Sequence, residues 1–386
     1  MKKVLLGTSA LLGVGTLAGA AQASDGIKLD VGGFFQTVYQ GVFDKKSDGH
    51  FGNHRNTDRF LHNAEVHFKG ETTLDNGLTV GAQIELEGET SDLGGPTGNG
   101  DQIDKSFVYW SGGFGRVQIG SQDGPIGACP VFPPGATANF SGFSPASWGS
   151  NDPIGSNSVC TDAVGGGNSQ SIKYTTPNFA GFQLALAYTP SGNAEDYTQA
   201  GVNGPGTPST PDGTPHHIFG AYLTYSYAGD GWGVNWGGGG DWQTAFNQTD
   251  GVNDGKSAFY QTALNFTFGN FAVGGIGEYY DFGGDNNNAW VAGGGASYGI
   301  DAWTVGIQGS HGHYAGAGLG FAPDPNGSRD LNRVIATGSY EMGPGVLLDA
   351  EVGYTWFHDS GDASAATGND RSYQAADVGI GSKFTF

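Results

Sequence analysis

The sequence contains two cysteines, Cys129 and Cys160, and both lie in one stretch, residues 123–168, that has no usable strand pattern. The N-terminus has the pattern of an export signal, and in an exported chain two cysteines are expected to form one disulfide. A bridge of this span would constrain the stretch by roughly 3–4 kcal/mol on the chain-entropy view. Two free buried thiols are the alternative. Metal ligation is the other, although neither a CxxC motif nor a tight His/Cys cluster accompanies these cysteines.

Signals for a bound metal or cofactor are weak elsewhere in the chain. His311 and His313 are two residues apart on a predicted strand and therefore share a face. Carboxylates could take Ca²⁺ in the acidic loops, which contain Asp250, Asp254, Asp281 and Asp285. None of these has the spacing of a recognised calcium loop. The sequence therefore predicts no resident metal or cofactor, with loop calcium as the weak alternative.

Composition and charge limit the class of protein. The formal net charge is −21, from 16 basic and 37 acidic residues. Such a chain does not suit nucleic acid, whose phosphates need basic partners, and it attracts cations. The hydrophobic fraction is only 37%, yet aromatic residues reach 12% and there are 72 glycines. Low hydropathy with many aromatics is typical of a transmembrane barrel, because only half of each strand faces lipid.

The N-terminus has the pattern of a secretory signal peptide. Lys2 and Lys3 precede an apolar run, and Ala21-Gln22-Ala23 gives the small-x-small pattern of a cleavage site. We expect residues 1–23 to be removed and residues 24–386 to form a single barrel domain. A retained membrane helix is the weaker interpretation, because the run is interrupted by four glycines.

The rest of the chain alternates with a period of two. In the predicted second strand one face is apolar, with Phe60, Ala64, Val66 and Phe68. The other face is polar, with Arg59, Asn63, Glu65, His67, Lys69 and Glu71. A helix would mix these two sets, since its period is 3.6. The pattern therefore predicts strands that have one lipid face and one lumen face.

Sixteen such strands are predicted, over residues 27–43, 59–74, 78–89, 103–111, 116–122, 169–176, 182–189, 217–227, 232–246, 256–268, 271–282, 288–298, 302–314, 330–340, 345–358 and 372–386. Short turns alternate with longer loops, as in bacterial outer-membrane barrels. The fold class is therefore all-β, a transmembrane antiparallel barrel wide enough to leave an aqueous channel. A structureless stretch as long as 123–168 is unusual unless it is functional. We expect it to fold into the mouth of the barrel and narrow it.

Aromatic residues near the strand ends are interpreted as the two girdles at the membrane–water interfaces, in contact with outer-membrane lipids. They include Phe60, Tyr109, Trp110, Trp232, Trp290 and Trp356. The alternative is the core of a soluble β-protein. We disfavour it because the opposite faces of the same strands look too polar for a dry interior.

Four features in order carry a resemblance to a known family. They are the signal ending Ala21-Gln22-Ala23, the run 32–36 (Gly-Gly-Phe-Phe-Gln), the run 114–125 that enters the long loop, and a last strand that ends on Phe386. With them the chain resembles the general porins of the Gram-negative outer membrane. The resemblance implies a homotrimer of sixteen-stranded barrels, each with its own diffusion pore, whose third external loop, here 123–168, folds inward as a constriction.

The resemblance also implies that acids on this loop face a basic cluster on the opposite wall. The loop candidates are Asp123, Asp152 and Asp162, and the wall candidates are Arg59, Lys69, Arg116, Arg333 and Lys383. That basic set is thin. Carboxylates share the predicted lumen face, among them Glu65, Glu85, Glu87, Asp349, Glu351 and Asp377. We therefore expect a more uniformly negative lumen, which would favour cations.

Three functions compete. The first is passive diffusion of small hydrophilic solutes and ions across the outer membrane, with cations preferred. The second is a channel selective for a sugar or a particular ion, and a sugar channel should show an aromatic track along its lumen. The third is an outer-membrane enzyme, which would need a Ser/His/acid set at the barrel rim. No such set can be assembled from the sequence, so an enzyme is not expected.

Overall fold

The computed structural model describes residues 26–44, 58–88, 103–143, 157, 159–160, 168–191, 216–244, 256–282, 288–315, 328–359 and 371–386. Within these ranges the chain forms sixteen antiparallel strands that close into one barrel. The described residues contain no helix that is long and apolar enough to cross a membrane. The predicted signal peptide, 1–23, lies outside them, so its removal stays a prediction.

The strands follow the predicted order, and their limits differ from the predicted ones by a few residues. They are β1 Lys28–Asp44, β2 Asp58–Thr73, β3 Thr79–Glu87, β4 Ile103–Gly112, β5 Gly115–Gln122, β6 Ser169–Thr175, β7 Phe182–Ser191, β8 His216–Ala228, β9 Trp232–Thr244, β10 Lys256–Phe268, β11 Phe271–Asp281, β12 Asn288–Ile300, β13 Trp303–Ala315, β14 Ser328–Gly343, β15 Val346–Asp359 and β16 Arg371–Thr385.

Tight turns fix the register of neighbouring strands. Between β2 and β3 the Leu74 amide donates to the Leu78 carbonyl at 2.8 Å, and Gly77 adopts a φ of +80° that favours glycine. The ladder then runs from Thr73 opposite Thr79 to Glu65 opposite Glu87. Because the side-chain period is two, this register decides which side chains of the two strands meet inside the barrel.

The first and last strands close the barrel. β1 pairs with β16 from Phe34 opposite Thr385 to Asp44 opposite Ala375. At the end of this ladder Gly33 and Phe386 exchange backbone hydrogen bonds of 3.0 and 3.1 Å. Every strand therefore has two neighbours. A barrel leaves no unpaired edge to face hydrocarbon, where each unsatisfied backbone group would cost several kcal/mol.

The predicted faces of β2 are confirmed. Phe60 points outward and is 76% exposed, whereas its neighbour Leu61 points inward and is 3% exposed. Tyr109 is a correction to the predicted girdle. It is 1% exposed and its hydroxyl donates to Glu71 Oε2 at 2.5 Å, so it lies inside the barrel. A polar tip allows tyrosine to occupy either face, and alternation alone did not reveal which one.

Part of the barrel interior is dry, which corrects the expectation that the lumen faces are too polar for an apolar core. The loop residues Ile126, Val131 and Phe143 are buried together with inward-facing wall residues. The wall residues are Tyr222, Phe259, Ala263, Ile276, Tyr280, Ala289, Val291, Tyr314 and Leu331, and Ala375 of β16 also belongs to the cluster. The described part of the stretch after β5 therefore folds inward and packs against β8 to β14, with a dry core between them.

Glycines in the wall make room for this packing. A Cβ atom at Gly293 would lie 2.6 Å from the Phe143 ring, and one at Gly306 would lie 2.6 Å from Gly135 of the loop. Gly293 and Gly306 therefore have a packing reason, as is common for glycines in strands.

We expect Gly293→Leu to displace Phe143 and loosen the loop, because overpacking a filled site typically costs about 1–3 kcal/mol. Hydrogen–deuterium exchange of the loop amides between residues 130 and 143 measures this, and we expect exchange at least about tenfold faster, as 1.4 kcal/mol corresponds to a factor of ten. Gly277→Leu is the control, since a Cβ atom at Gly277 would meet nothing within 4 Å. Equal exchange in both variants would contradict the packing described here.

Candidate functional site: the lumen and its inner loop

The loop between β5 and β6 follows the inner wall of the barrel. Its described part is 123–143, 157, 159–160 and 168. The amide of Asn265 on β10 donates to the Phe132 carbonyl at 2.7 Å, and the hydroxyl of Thr337 on β14 donates to the Gly135 carbonyl at 2.7 Å. The amide of Gln36 on β1 then reaches the Ala138 carbonyl at 2.9 Å. The loop thus runs along the wall toward β1.

Gln308 of β13 satisfies three backbone groups of the loop. Its Nε2 donates to the carbonyls of Pro133 and Pro134 at 2.8 and 3.2 Å, and its Oε1 accepts from the Gly142 amide at 2.8 Å. Gln308 is 1% exposed. A buried amide side chain can serve both donors and acceptors, so a single residue fixes the outgoing and the returning arm of the loop.

The far turn of the loop docks between β15 and β1. Asp349 accepts from the Asn139 backbone amide at 3.0 Å and from its side chain at 2.7 Å. Phe140 is fully buried in a separate cluster with Val38 and Leu61. Gly379 of β16 lies under its ring, where a Cβ atom would come within 2.6 Å. One carboxylate, which accepts two hydrogen bonds, and one buried aromatic ring therefore hold this turn.

A buried ion network lies beneath the returning arm. The Arg333 guanidinium donates twice to Asp377 at 2.8 Å, once to Glu351 at 3.0 Å and once to the Thr355 hydroxyl at 2.9 Å. Its Nε donates to the Ser141 carbonyl of the loop at 3.3 Å. The three charged side chains are between 0 and 2% exposed. A bidentate arginine in this position ties the loop to three wall strands at once.

Cys129 and Cys160 are joined by a disulfide, with their Cα atoms 5.0 Å apart. The backbone amide of Cys160 donates to Glu278 Oε1 at 2.7 Å. Gln261 donates to the same oxygen at 2.7 Å, and the Tyr280 hydroxyl donates to Glu278 Oε2 at 2.7 Å. The bridge thus links the start of the loop to its second half, and Glu278 fastens the bridge to β10 and β11.

The wall of β2 to β5 carries a different surface, with charged side chains that are partly exposed to the lumen. Lys69 and Glu71 form an ion pair of 3.1 Å in which both side chains are 37% exposed. The Arg59 guanidinium donates to Gln40 Oε1 at 2.8 Å. The Arg116 guanidinium lies 3.9 Å above the Tyr109 ring. Among the described residues, most loop contacts are with the other wall, and these strands keep partly exposed charged side chains, so we take them as the open side of the lumen.

Lys105 is the centre of the charges on β3, β4 and the loop start. Its ammonium lies 3.1 Å from Asp104, 3.3 Å from Asp123 and 3.4 Å from Glu85. The sequence analysis missed Lys105. It occupies the same side of β4 as Tyr109, and because Tyr109 and its neighbour Trp110 were both assigned to the girdle, the inward side of β4 was not identified. Alternate residues of a strand share a face, so one residue of β4 known to point inward would have identified Lys105 as a lumen residue.

The structure separates the predicted site residues into two groups. Arg59, Lys69, Arg116, Glu65, Glu85 and Asp123 lie on the open wall or at the loop start, and Glu87 lies opposite Glu65 in the ladder. Arg333 does not face open water, because the loop and the carboxylates of β15 and β16 cover it. The acids Asp349, Glu351 and Asp377 are covered in the same way. Asp152 and Asp162 lie outside the described residues.

The described part of the loop beyond Asp123 carries no charged residue, because 124–143 contains neither acid nor base. The expected opposition between loop acids and a basic wall therefore rests on Asp123 alone among the described residues. Asp123 itself pairs with a lysine of β4, and its carbonyl accepts from Lys173 at 2.8 Å. Calcium in the acidic loops stays a prediction, since Asp250, Asp254 and Asp285 lie outside the described part of the chain.

We expect Arg333→Ala to lower the stability of the barrel by about 3–5 kcal/mol, because it leaves Asp377 and Glu351 buried without their partner. Urea unfolding of the refolded protein, followed by tryptophan fluorescence, measures this as a lower midpoint. Lys69→Ala is the control, since an exposed pair contributes about 0–1 kcal/mol. A similar midpoint for the two variants would contradict the role assigned to Arg333.

Comparisons with known proteins all point to one protein family. A family model described as Gram-negative porin matches residues 7–362. A monosaccharide porin of Halomonas sp is 27% identical over 199 residues, which cover 51% of each chain. The major outer membrane protein P.IB of Neisseria gonorrhoeae is 32% identical over 132 residues, 34% of this chain and 33% of that protein. The chain thus spans about half the length, or less, of the curated relatives it matches.

The fold is shared with solved structures. OmpT of Vibrio cholerae, folded in vitro and described in its trimer form, superposes with a TM-score of 0.57 at 13% identity, covering 94% of this chain and 100% of that one. The family comprises porins and not enzymes, so the interpretation as a rim enzyme is set aside. Together with the closed sixteen-stranded barrel and its inner loop, the match over residues 7–362 means that this chain belongs to the Gram-negative porin family, proteins of the bacterial outer membrane.

Proposed function

We propose that the protein is a passive diffusion channel for small hydrophilic solutes and ions across the outer membrane. The observation that carries this proposal is the division of the lumen. The described part of the loop fills the side formed by β8 to β14 with an apolar core and covers the buried ion network of β14 to β16. The partly exposed charged side chains of β2 to β4 line the other side. Charged side chains keep that surface hydrated, and a hydrated passage suits polar solutes.

A preference for cations is part of the proposal. Carboxylates on the open side include Glu65, Glu71, Glu85, Asp104 and Asp123, and the bases beside them include Arg59, Lys69, Lys105 and Arg116. The ammonium of Lys105 is shared among three carboxylates, and Lys69 is paired with Glu71. A shared base leaves negative charge in excess around it, and a lumen with that excess concentrates cations.

We further propose that the channel is a homotrimer surrounded by outer-membrane lipids. Support comes from the Vibrio cholerae relative in fold, which is described in a trimer form. The outward face of the barrel is apolar, as in Val305, Ile307 and Val352, which are all more than half exposed. Such a face suits lipid or a neighbouring barrel, and not water.

A sugar-selective channel is the second candidate, because one relative is named a monosaccharide porin. The loop aromatics argue against an aromatic track within the described residues. Phe140 and Phe143 are at most 2% exposed, and Phe132 packs edge-on against Phe143 with centroids 5.4 Å apart. Phe140 and Phe143 are buried in holding the loop and therefore offer no stacking surface for sugar, and Phe132 is partly covered by Phe143.

The sign of the selectivity can be tested by neutralising acids of the open wall. We expect the wild-type protein in a planar bilayer under a salt gradient to give a reversal potential of cationic sign. The triple variant Glu71→Gln, Asp104→Asn, Asp123→Asn should move this potential toward zero or to the anionic sign, because Lys105 then loses two of its three carboxylates.

The matched control removes the same charge outside the lumen, in the short turns. It is the triple variant Asp75→Asn, Asp230→Asn, Asp301→Asn, and we expect it to leave the potential unchanged. An anionic sign in the wild-type protein would contradict the cation preference and leave the channel standing. Absence of any conductance would contradict the channel itself. Sugar flux that saturates at low concentration in proteoliposomes would favour the second candidate.

A further inference from the structure

Three ligand-type side chains meet on the open wall. His67 of β2 lies directly opposite Glu85 of β3, and Glu65 lies two residues before His67 on the same face. One donor atom of each residue lies within 4.8 Å of the other two. Glu65 Oε2 and His67 Nε2 are already 2.7 Å apart. Among the described residues, no other three His, Cys, Asp or Glu side chains bring their donor atoms this close together.

We propose that Glu65, His67 and Glu85 bind a divalent transition-metal ion inside the lumen. This proposal rests on the channel function proposed above, because the ion would lie in the path of permeating solutes. One imidazole and two carboxylates suit zinc and its neighbours in the transition series, whereas calcium and magnesium take oxygen ligands only. The sequence analysis predicted no metal here, because it considered spacing along the chain and not across the turn.

The geometry fits a tetrahedral ion with one open position. Ligands at about 2.0–2.2 Å from such an ion lie about 3.4 Å apart. Donors that are all within 4.8 Å of one another reach this spacing by small side-chain rotations. Three protein ligands leave the fourth position to water, which the lumen supplies. His67 is the most exposed of the three, with 30% of its side chain accessible, and so an ion can enter from the channel.

Neighbouring groups orient two of the three ligands, Glu85 and His67. Gln83 Nε2 donates to Glu85 Oε1 at 2.5 Å, and Lys105 lies 3.4 Å from Glu85 Oε2. The Phe34 ring meets His67 edge-on, with centroids 6.2 Å apart and planes at 86°. Such outer contacts fix ligand orientation in metal sites. The positive charge of Lys105 disfavours a cation bound beside it. Pairing with the carboxylates of Asp104 and Asp123 reduces this repulsion.

The test uses the full chain refolded in detergent, with Zn²⁺ alone as the probe. Calorimetric titration is compared for the wild-type protein, His67→Gln, Glu85→Gln and the control His62→Gln. His62 lies on the same strand but on the outward face, stacked on Phe35 at 6.4 Å. We expect His67→Gln and Glu85→Gln each to weaken one Zn²⁺ site by at least about 100-fold, since even outer-shell changes cost 10–100-fold. His62→Gln should retain it.

A second readout locates the ion. In planar bilayers we expect Zn²⁺ to lower the single-channel conductance of the wild-type protein and of His62→Gln, and to leave that of His67→Gln unchanged. Ca²⁺ at the same concentration should not reproduce the effect. Zn²⁺ binding and block that are identical in wild type and both lumen variants would overturn the site. If no variant conducts, the channel function fails, and the titration alone then decides whether the metal site exists.

Discussion

A loop inside a barrel has no strand beside it, and yet its backbone must hydrogen-bond. This constraint explains most of the inner wall. The carbonyls of Phe132, Pro133, Gly135 and Ala138 are each met by a side chain from the wall, and so is the amide of Gly142. Leaving such a group buried without a partner costs about 1–3 kcal/mol. The polar residues of β10, β13, β14 and β1 are therefore as much a part of the loop's fold as the loop itself.

The same constraint divides the lumen into two unlike halves. Where the loop is docked, charges are buried and directly paired, as in the network of Arg333 with Asp377 and Glu351. On the side of β2 to β5, charges remain partly hydrated and weakly paired, as in Lys69 and Glu71. A net charge summed over the whole sequence cannot distinguish these two populations, because only the second one is in contact with permeating ions.

The sequence predicted the strands well because a period of two is a strong signal when one face meets lipid. The inner loop was also predicted, from its length and lack of pattern. Alternation assigns a residue to the inner face but does not say whether something covers it. For that reason Arg333 and Asp349 were expected in open water. Tyr109 was placed outside because an aromatic ring suits a girdle, and its hydrogen bond to Glu71 depends on a contact between β2 and β4 that no single strand contains.

The cluster of Glu65, His67 and Glu85 was within reach of the sequence. The turn at Asn76 is a strong hairpin signal, and His67 and Glu85 are each nine residues from it. Counting back from the turn gives their pairing directly, as the ladder confirms. Which oxygen and nitrogen atoms then approach one another depends on side-chain rotamers, and these are set by neighbours such as Phe34 and Gln83 that the count does not include.

The closure of the barrel has a consequence for its biogenesis. Among the described strands every ladder joins neighbours in the chain, except the one between β1 and β16. Hairpins can therefore add one after another during assembly, while β1 keeps an unpaired edge until the final strand arrives. A sheet in that state carries a free edge at each end, and free edges pair readily with foreign chains. The growing sheet must accordingly be shielded until Gly33 and Phe386 meet.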